Sequence, residues 1–321
     1  MNYCLPRRLL ILTLFMIVSL MVFSCQKRKN FLPEFRKLSA YPVMISQPVD
    51  NRFSDAPEVL LEYLIKLDAN PHYSSHAVSD SEKALFRTYY TLLPDIYKTV
   101  LSEKLAGIFL IDHFTGSGMT DYVFDSDGNI YMILIINPEV FHRSLSDWIT
   151  YRDNSSFSRD TQGYSIVSDC GNSYKALIHT LMHETSHIYD YYQHCTPYIE
   201  KSFTYDYSAQ NFPFINDIWL TYDTPTSSCD FPGRHEIASF GLKTPIDNAL
   251  IPSIYDALSK TPFPSAYGST NWAEDFAETA TWVYLSKKLS IGYIINIKKG
   301  TSNCARYDLL QNALERKALP F

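Results

Sequence analysis

The stretch HTLMHETSHIYDYY, residues His179–Tyr192, carries two histidines four residues apart with a glutamate directly after the first. On a helix, positions i and i+4 lie one turn apart on the same face, so His183 and His187 can both reach one metal ion at about 2.0–2.1 Å. Glu184 lies beside such an ion, where it can take a proton from a water molecule. The H-E-x-x-H spacing therefore predicts a zinc-dependent hydrolase with two histidine ligands and a glutamate general base.

A helix over Asn172–Tyr192 gathers the polar residues of this stretch on one side. They fall within a stripe about 80° wide that comprises His179, His183, His187 and Asp190. The apolar residues of the opposite side are Leu177, Leu181 and Ile188. We therefore expect one side to face a core and the other to line a polar cleft. His179 would contact substrate, hydrogen-bond a metal ligand or merely solvate that cleft. A surface helix with solvated histidines is the alternative.

A catalytic zinc ion needs a third protein ligand, and the acidic candidates lie almost 90 residues later on a second predicted helix. The stretch SAYGSTNWAEDFAETATW (Ser265–Trp282) places Glu274 and Glu278 four residues apart on one helical face. One of them can ligate while the other supports a ligand by hydrogen bonding. The spacing alone does not say which, and a solvated acidic face is the alternative.

These two blocks resemble the gluzincin metallopeptidases of the anthrax lethal factor type, whose pattern is H-E-x-x-H-x-x-D followed by Y-G-x-T-N-x-x-E-x-F-A-E. The resemblance covers about 100 residues and implies an α+β zincin-like fold, with a small mixed sheet, an active-site helix and a second ligand-bearing helix. It implies that Glu274 is the third zinc ligand and that Tyr267 stabilises the oxyanion. Asp190 and Glu278 match family positions that support the ligands. The N-terminal half shows no such resemblance.

The N-terminus resembles an export signal. Arg7 and Arg8 precede the uncharged run Leu9–Phe23, which is short for a membrane span and typical of a signal-peptide core. The run ends in VFSC, which resembles a bacterial lipobox, so we expect a signal peptide over residues 1–24 and lipid attachment at Cys25. The alternative is an uncleaved signal anchor. This architecture is similar to zinc-binding metallopeptidase lipoproteins of gut bacteria and predicts a place in the cell envelope, facing either the periplasm or the exterior.

The charge and cysteine content narrow the class of protein further. The net charge of -6, from 28 basic and 34 acidic residues without a long basic run in the body, argues against a nucleic-acid partner. Cys4 and Cys25 aside, four cysteines remain, an even number in an exported chain. Cys170 and Cys195 flank a long helix, which argues against a bond between them. Of the two pairings that remain open, we favour Cys195–Cys229 with Cys170–Cys304. Four free thiols are the alternative.

Hydrophobic periodicity divides the mature chain into a lipidated tether and lead-in over residues 25–55 and one catalytic domain over residues 56–321 with an N-terminal helical layer. The pattern predicts helices at 56–68, 81–93, 245–258, 271–289 and near 305–318. It predicts strands at 105–112 and 129–137, with a hairpin turn at DSDGN. NIYMILIIN (Asn129–Asn137) is either a strand whose edge binds extended substrate or a central core strand.

The sequence thus predicts an exported, lipid-anchored zinc endopeptidase that hydrolyses a protein or peptide substrate, with one Zn²⁺ per chain. Two alternatives remain open: a noncatalytic zinc-containing surface lipoprotein that binds a partner, and a zinc hydrolase of a non-protein amide. Glu184 and Tyr267 favour catalysis, because a protein that only binds needs neither. The sequence predicts no oligomeric state.

Overall fold

The computed structural model describes residues 32–42, 44–159, 163–197, 211–316 and 318–321. The helices of these residues, in chain order, are α1 (Glu58–Asp68), α2 (Asp80–Thr91), α3 (Asp95–Lys104), α4 (Glu139–His142), α5 (Leu145–Asn154), α6 (Leu177–Gln193), α7 (Ile251–Leu258), α8 (Trp272–Leu289) and α9 (Leu310–Ala313). The strands are β1 (Ser74–Ser75), β2 (Leu105–Asp112), β3 (Gly118–Phe124), β4 (Ile130–Ile136), β5 (Tyr164–Asp169), β6 (Ile294–Lys299) and β7 (Ser302–Asp308). The predicted α+β class is confirmed.

The larger sheet has the strand order β1-β2-β4-β3. β2 runs parallel to β4, whereas β3 is antiparallel to β4. The predicted hairpin turn is confirmed, because the N–H of Asp125 donates to the carbonyl of Asn129 and Gly128 takes a positive φ of 86°. β4 is the buried central strand, so the interpretation of Asn129–Asn137 as a substrate-binding edge is wrong. β3 occupies that edge.

Both faces of the larger sheet are covered by other parts of the chain. Successive residues of a strand point to opposite faces, so one strand contributes side chains to two cores. On β2, Ile108 and Leu110 join the main core with α6, whereas Phe109 and Ile111 join a smaller core under α1. The near-continuous apolar run of β2 therefore reflects burial on both sides. Because the larger sheet is packed on both faces, its strand β3 is held against one side of α6.

The second sheet is antiparallel, in the order β5-β6-β7. The predicted helix near 305–318 is wrong, because residues 302–308 form β7 and only Leu310–Ala313 are helical. Ala305 and Tyr307 are partly buried between exposed neighbours, a period of two that is typical of a strand. The strands β1, β5 and β6 and the helices α3, α4 and α5 were not predicted.

The other predicted helices are confirmed with shifted ends. α2 begins at Asp80, one residue before the predicted start, because Ser79 and Glu82 form a reciprocal capping box. α6 begins at Leu177, five residues later than predicted, and extends to Gln193. α8 is capped by Asn271, whose side-chain oxygen accepts from the N–H groups of Ala273 and Glu274, each at 3.0 Å.

The described part of the lead-in is irregular, as predicted, with short 3-10 turns at Glu34–Arg36, Leu38–Ala40 and Val49–Asn51. It nevertheless packs firmly on the domain. The buried guanidinium of Arg52 donates to five backbone carbonyls, of Ile45, Gln47, Leu101, Ser102 and Leu105. Phe53 forms a bridge with Ile108 of β2, and Lys37 forms one with Phe124 of β3. The predicted signal peptide, Cys25 and the start of the tether lie outside the described residues.

The four cysteines Cys170, Cys195, Cys229 and Cys304 are free thiols, so neither predicted disulfide is present. Cys170 directly follows β5, and Cys304 lies on β7 with β6 between them. Strands that are separated by one intervening strand lie about 9–10 Å apart, whereas a disulfide needs Cα atoms within about 7 Å. Cys229 is buried, with its thiol facing the carbonyl of Asp217 rather than Cys195.

None of the described helices combines the length and the apolar character that crossing a membrane requires.

Candidate metal centre

Helix α6 carries the H-E-x-x-H residues through the interior of the domain. Its apolar side joins the main core, as predicted, and its polar side faces α8 and β3. This polar side is itself buried: His179 is 3% exposed, and His183 and Glu184 are each 5% exposed. The alternative of a surface helix with solvated histidines is therefore excluded.

Three ligand atoms from α6 and α8 converge on one point. His183 Nε2 lies 3.1 Å from His187 Nε2 and 3.1 Å from Glu274 Oε2, and His187 Nε2 lies 3.5 Å from the same oxygen. With metal–ligand bonds of about 2.0–2.1 Å and tetrahedral angles, two ligand atoms of a zinc site lie about 3.3 Å apart. The triangle therefore has the dimensions of one face of a tetrahedral zinc site.

The charges around these atoms favour a cation. Burial alone lowers the pKa of His183, but its interactions with Glu274 and Glu278 outweigh burial and raise that pKa to about 10. Burial would raise the pKa of Glu274, yet the adjacent His187 and His183 lower it far below the usual value. Two imidazoles and a carboxylate also form a ligand set that suits Zn²⁺. The residues present therefore fit a zinc ion.

Glu184 lies next to this triangle but is turned toward β3. The hydroxyl of Thr120 donates to Glu184 Oε2 at 2.9 Å and contacts the Glu184 carbonyl at 3.1 Å. Burial raises the pKa of Glu184, although His183 and His187 act in the opposite direction. A buried carboxylate with a raised pKa and a single hydroxyl donor is suited to accept a proton at neutral pH.

The close approach of β3 to α6 depends on Gly118. A Cβ atom at this position would lie 2.9 Å from the carbonyl oxygen of Ile135 and 3.1 Å from both Glu184 Cγ and Thr180 Cγ2. A side chain therefore does not fit without moving the strand or the general base. Sequence reasoning missed Thr120 and Gly118, although a glycine next to a strand pattern was an available signal for close backbone approach.

Tyr267 covers the other side of His183. The two ring centroids lie 5.8 Å apart with the planes inclined by 29°. Burial and the carboxylates of Glu274 and Glu184 raise the pKa of Tyr267 well above its usual value. The phenol therefore keeps its proton and remains a hydrogen-bond donor beside the three ligand atoms.

Glu278 lies behind His183. Its Oε1 lies 3.1 Å from His183 Nδ1, and both of its oxygens accept from Nη1 of the buried Arg152, at 3.0 and 2.9 Å. Ser265 and Trp282 also donate to its Oε2. A carboxylate so bound orients the imidazole and directs Nε2 toward the site of the ion. The structure thus separates the roles of the two glutamates that the spacing left open.

His179 lines the smaller of the two cavities beside this triangle, although it is itself buried. Its Nε2 lies 3.0 Å from Glu278 Oε1, and its ring packs 4.8 Å from that of Trp282. Burial lowers the pKa of His179 to about 4, so it is neutral at physiological pH. His179, His183 and Glu278 also bring ligand atoms close together, but the cation of Arg152 already occupies Glu278. We therefore assign this group to orientation and not to metal binding.

Asp190, one turn beyond His187, accepts from the N–H of Thr196 at 2.7 Å and from its hydroxyl at 2.6 Å. These hydrogen bonds fix the chain that leaves α6. Asp190 was expected to support the ligands, and within the described residues no hydrogen bond joins it to His187. Arg152 was missed by sequence reasoning because nothing in its neighbourhood distinguishes it from a surface arginine.

Two cavities meet at the triangle, and His183, Glu184 and Tyr267 line both. The smaller, about 170 Å³, extends toward the start of α6 and has largely apolar walls that include Phe114, Met119, Phe240 and Leu242. The larger, about 710 Å³, follows β3 toward Tyr122 and passes His187 and Glu274. Together they form one cleft along the edge of β3.

Comparison with family models, curated proteins and solved structures found no match for this chain. The likeness to lethal factor-type gluzincins therefore rests on the two sequence blocks that carry it.

Proposed function

We propose that the protein is a zinc-dependent endopeptidase with a zincin-like catalytic domain. The observation that carries the proposal is the triangle of His183 Nε2, His187 Nε2 and Glu274 Oε2, with edges of 3.1, 3.1 and 3.5 Å. A zinc ion held by these atoms would supply Lewis acidity and lower the pKa of a water molecule toward about 7.

The chain's own groups supply the proton transfer. Glu184, held by the Thr120 hydroxyl at 2.9 Å, accepts the proton of the attacking water and later delivers it to the leaving amine. Tyr267 keeps its phenolic proton and donates a hydrogen bond to the oxygen that becomes negative. Glu278 and Arg152 hold the ring of His183 in place throughout.

The cleft favours a peptide over a small amide. The strand β3 lies at the edge of its sheet, and Gly118 and Thr120 line the cleft beside Glu184. An extended peptide can add to such an edge through its main chain while its side chains enter the cavities. The proposed substrate is therefore a protein or peptide segment in an extended conformation.

The proposed location is the bacterial cell envelope, with a lipid on Cys25. This proposal rests on the residues from Arg7 to Cys25 alone. A labelled fatty acid should be incorporated into the wild-type protein and not into Cys25→Ala. Equal labelling of both proteins would contradict it.

Peptide-bond hydrolysis is tested with the zinc-loaded full-length protein and its Glu184→Gln variant. Each is incubated with a peptide library from a denatured proteome, and new termini are read by mass spectrometry. We expect new termini only with the wild-type protein. Their absence, with one zinc ion bound per chain, would instead favour a non-protein amide or a binding role.

A further inference from the structure

The main-chain groups of β3 alternate between β4 and the cleft. In an antiparallel pair, every second residue directs both its N–H and C=O toward the partner strand. Ser117 accepts from Asn137 at 3.0 Å, and Asp125 donates to Asn129 at 3.0 Å, so the odd-numbered positions face β4. The even-numbered positions, Gly118, Thr120, Tyr122 and Phe124, therefore direct their main-chain groups outward from the sheet.

The far half of this outward edge is already occupied by the chain itself. The carbonyl of Tyr122 accepts from Arg36 Nη1 at 2.9 Å, and the N–H of Tyr122 donates to Asp121 Oδ1 at 2.8 Å. The guanidinium of Arg36 also forms an ion pair with Asp121 and lies 3.8 Å above the Tyr122 ring. Phe124 forms its bridge with Lys37. The lead-in thus covers the edge from Tyr122 onward.

The near half opens into the cleft. Gly118 lines both cavities, and Thr120 lines the larger one. Within the described residues, the outward main-chain groups of these two positions face cavity rather than backbone. Arg36 lines the far end of the larger cavity. The part of β3 that is open for pairing is therefore two outward residues long, and it ends at the ion pair between Arg36 and Asp121.

We propose that Arg36, fixed on Asp121 at Tyr122, is a specificity-determining residue that closes the cleft, so that bound peptide pairs only with Gly118 and Thr120. The peptide ligand in this proposal rests on the proposed function. Under that function, the protein recognises a short extended segment. Peptide main chain that extends beyond Tyr122 adds no binding free energy.

The direction and length of the recognised segment follow from the geometry of β3. An antiparallel peptide runs from the Tyr122 end toward Gly118, and antiparallel pairing is the more stable arrangement. Thr120 contacts Glu184, so the cleaved bond lies beside Thr120. Tyr122 lies two residues, about 7 Å, further along the strand. About two or three residues on the N-terminal side of the cleaved bond therefore fit along the strand before the closed edge at Tyr122.

Closure of the edge is tested without any substrate by amide hydrogen exchange of the full-length protein, resolved to single residues. We expect the amides of Gly118 and Thr120 to exchange at least about tenfold faster than that of Tyr122, because only the last has a hydrogen-bond acceptor. Exchange of Tyr122 as fast as that of Thr120 would overturn the closure.

The length limit is tested with synthetic peptides that carry one to six residues before the bond that the zinc-loaded protein cuts. For the wild type, kcat/KM should level off at about three residues. In Arg36→Ala it should continue to rise, by about tenfold for one or two more residues, which corresponds to about one gained hydrogen bond. Lys37→Ala is the matched control, because it removes a neighbouring exposed cation that pairs only with Glu34; its profile should match the wild type.

A wild-type profile that rises beyond about three residues, or that levels off on the C-terminal side instead, would overturn the proposal. If Arg36→Ala does not fold, the wild-type length profile and the exchange rates still test the proposal. Failure of the proposed function looks different: the protein would cut no peptide of any length, whatever the exchange rates at Gly118, Thr120 and Tyr122.

Discussion

The hydroxyl of Thr120 on strand β3 donates to the carboxylate of Glu184 on helix α6 at 2.9 Å. This hydrogen bond joins the edge of the larger sheet to the proposed general base, across 64 residues of chain. It therefore couples the position of the strand that we propose to bind peptide to the position of the carboxylate that we propose to move the proton.

Replacing Thr120 by valine keeps the shape of the side chain and removes this donor. The hydroxyl stabilises the charged form of Glu184 and so lowers its pKa, which burial otherwise raises. Without it, the acid limb of the pH profile of kcat/KM should move to higher pH, and kcat at neutral pH should fall about tenfold. Thr99→Val, which removes an exposed helical hydroxyl, should leave the profile unchanged; an unshifted acid limb in Thr120→Val would contradict the role of the hydroxyl.

Gly118→Ala tests the close approach of β3 to α6. The added methyl would lie 2.9 Å from the backbone oxygen of Ile135, which cannot rotate away, and 3.1 Å from Glu184 Cγ. We expect a loss of about 1–3 kcal/mol in the free energy of unfolding, measured by urea denaturation, together with reduced kcat. Gly292→Ala is the control, since a Cβ there meets nothing within 4 Å. Equal stability of the two variants would contradict the steric argument.

Arg152 and Glu278 form a buried ion pair, with side-chain exposures of 2% and 0%. Arg152 also pairs with the buried Asp153, so Arg152→Met leaves the charges of both Glu278 and Asp153 uncompensated. It should lower the free energy of unfolding by about 3–5 kcal/mol. The double variant Arg152→Met/Glu278→Gln removes the charges of Arg152 and Glu278 and should regain part of that loss. Chemical denaturation of the two proteins measures the difference; a double variant that is less stable than Arg152→Met would show that the pair is not the source of the effect.

Glu82 gives a pH-dependent contribution to stability away from the metal centre. Burial would raise its pKa, but hydrogen bonds from Ser79 and the nearby His76 outweigh burial and lower it. A carboxyl whose pKa is lower in the folded state stabilises the fold above its unfolded pKa, and this contribution is lost as the pH falls through the folded value. Wild type should exceed Glu82→Gln by about 1 kcal/mol at pH 7 in urea denaturation, and the gap should close in acid. A gap that is constant with pH would contradict this explanation.

The residues of the proposed metal site could be predicted because their chemistry depends on local spacing. His183, Glu184 and His187 lie within two turns of one helix, and Glu274 follows its cap Asn271 by three residues, so the sequence pattern itself encodes their geometry. The roles of Glu274 and Glu278 could not be separated from spacing, because the decisive neighbours of Glu278 come from α5 and from Ser265.

The residues that sequence reasoning missed act over long chain separations. Arg36 reaches Asp121 across 85 residues, and Arg152 reaches Glu278 across 126. Neither position carries a local periodicity or motif, since an isolated arginine is most often a surface residue. The disulfide prediction failed for a related reason. An even number of cysteines and a predicted export signal favour disulfides, but only the strand order shows that β6 separates Cys170 from Cys304.

The most direct test of the metal-dependent mechanism measures bound zinc and peptide cleavage on the same samples of wild type, Glu184→Gln and Glu274→Gln. We predict one zinc ion per chain and cleavage for the wild type. Glu184→Gln should retain the zinc and lose at least about a hundredfold in kcat, because it removes only the general base. Glu274→Gln should lose affinity for zinc itself. Full cleavage by Glu184→Gln, or a wild-type protein that binds no zinc, would contradict the proposed function.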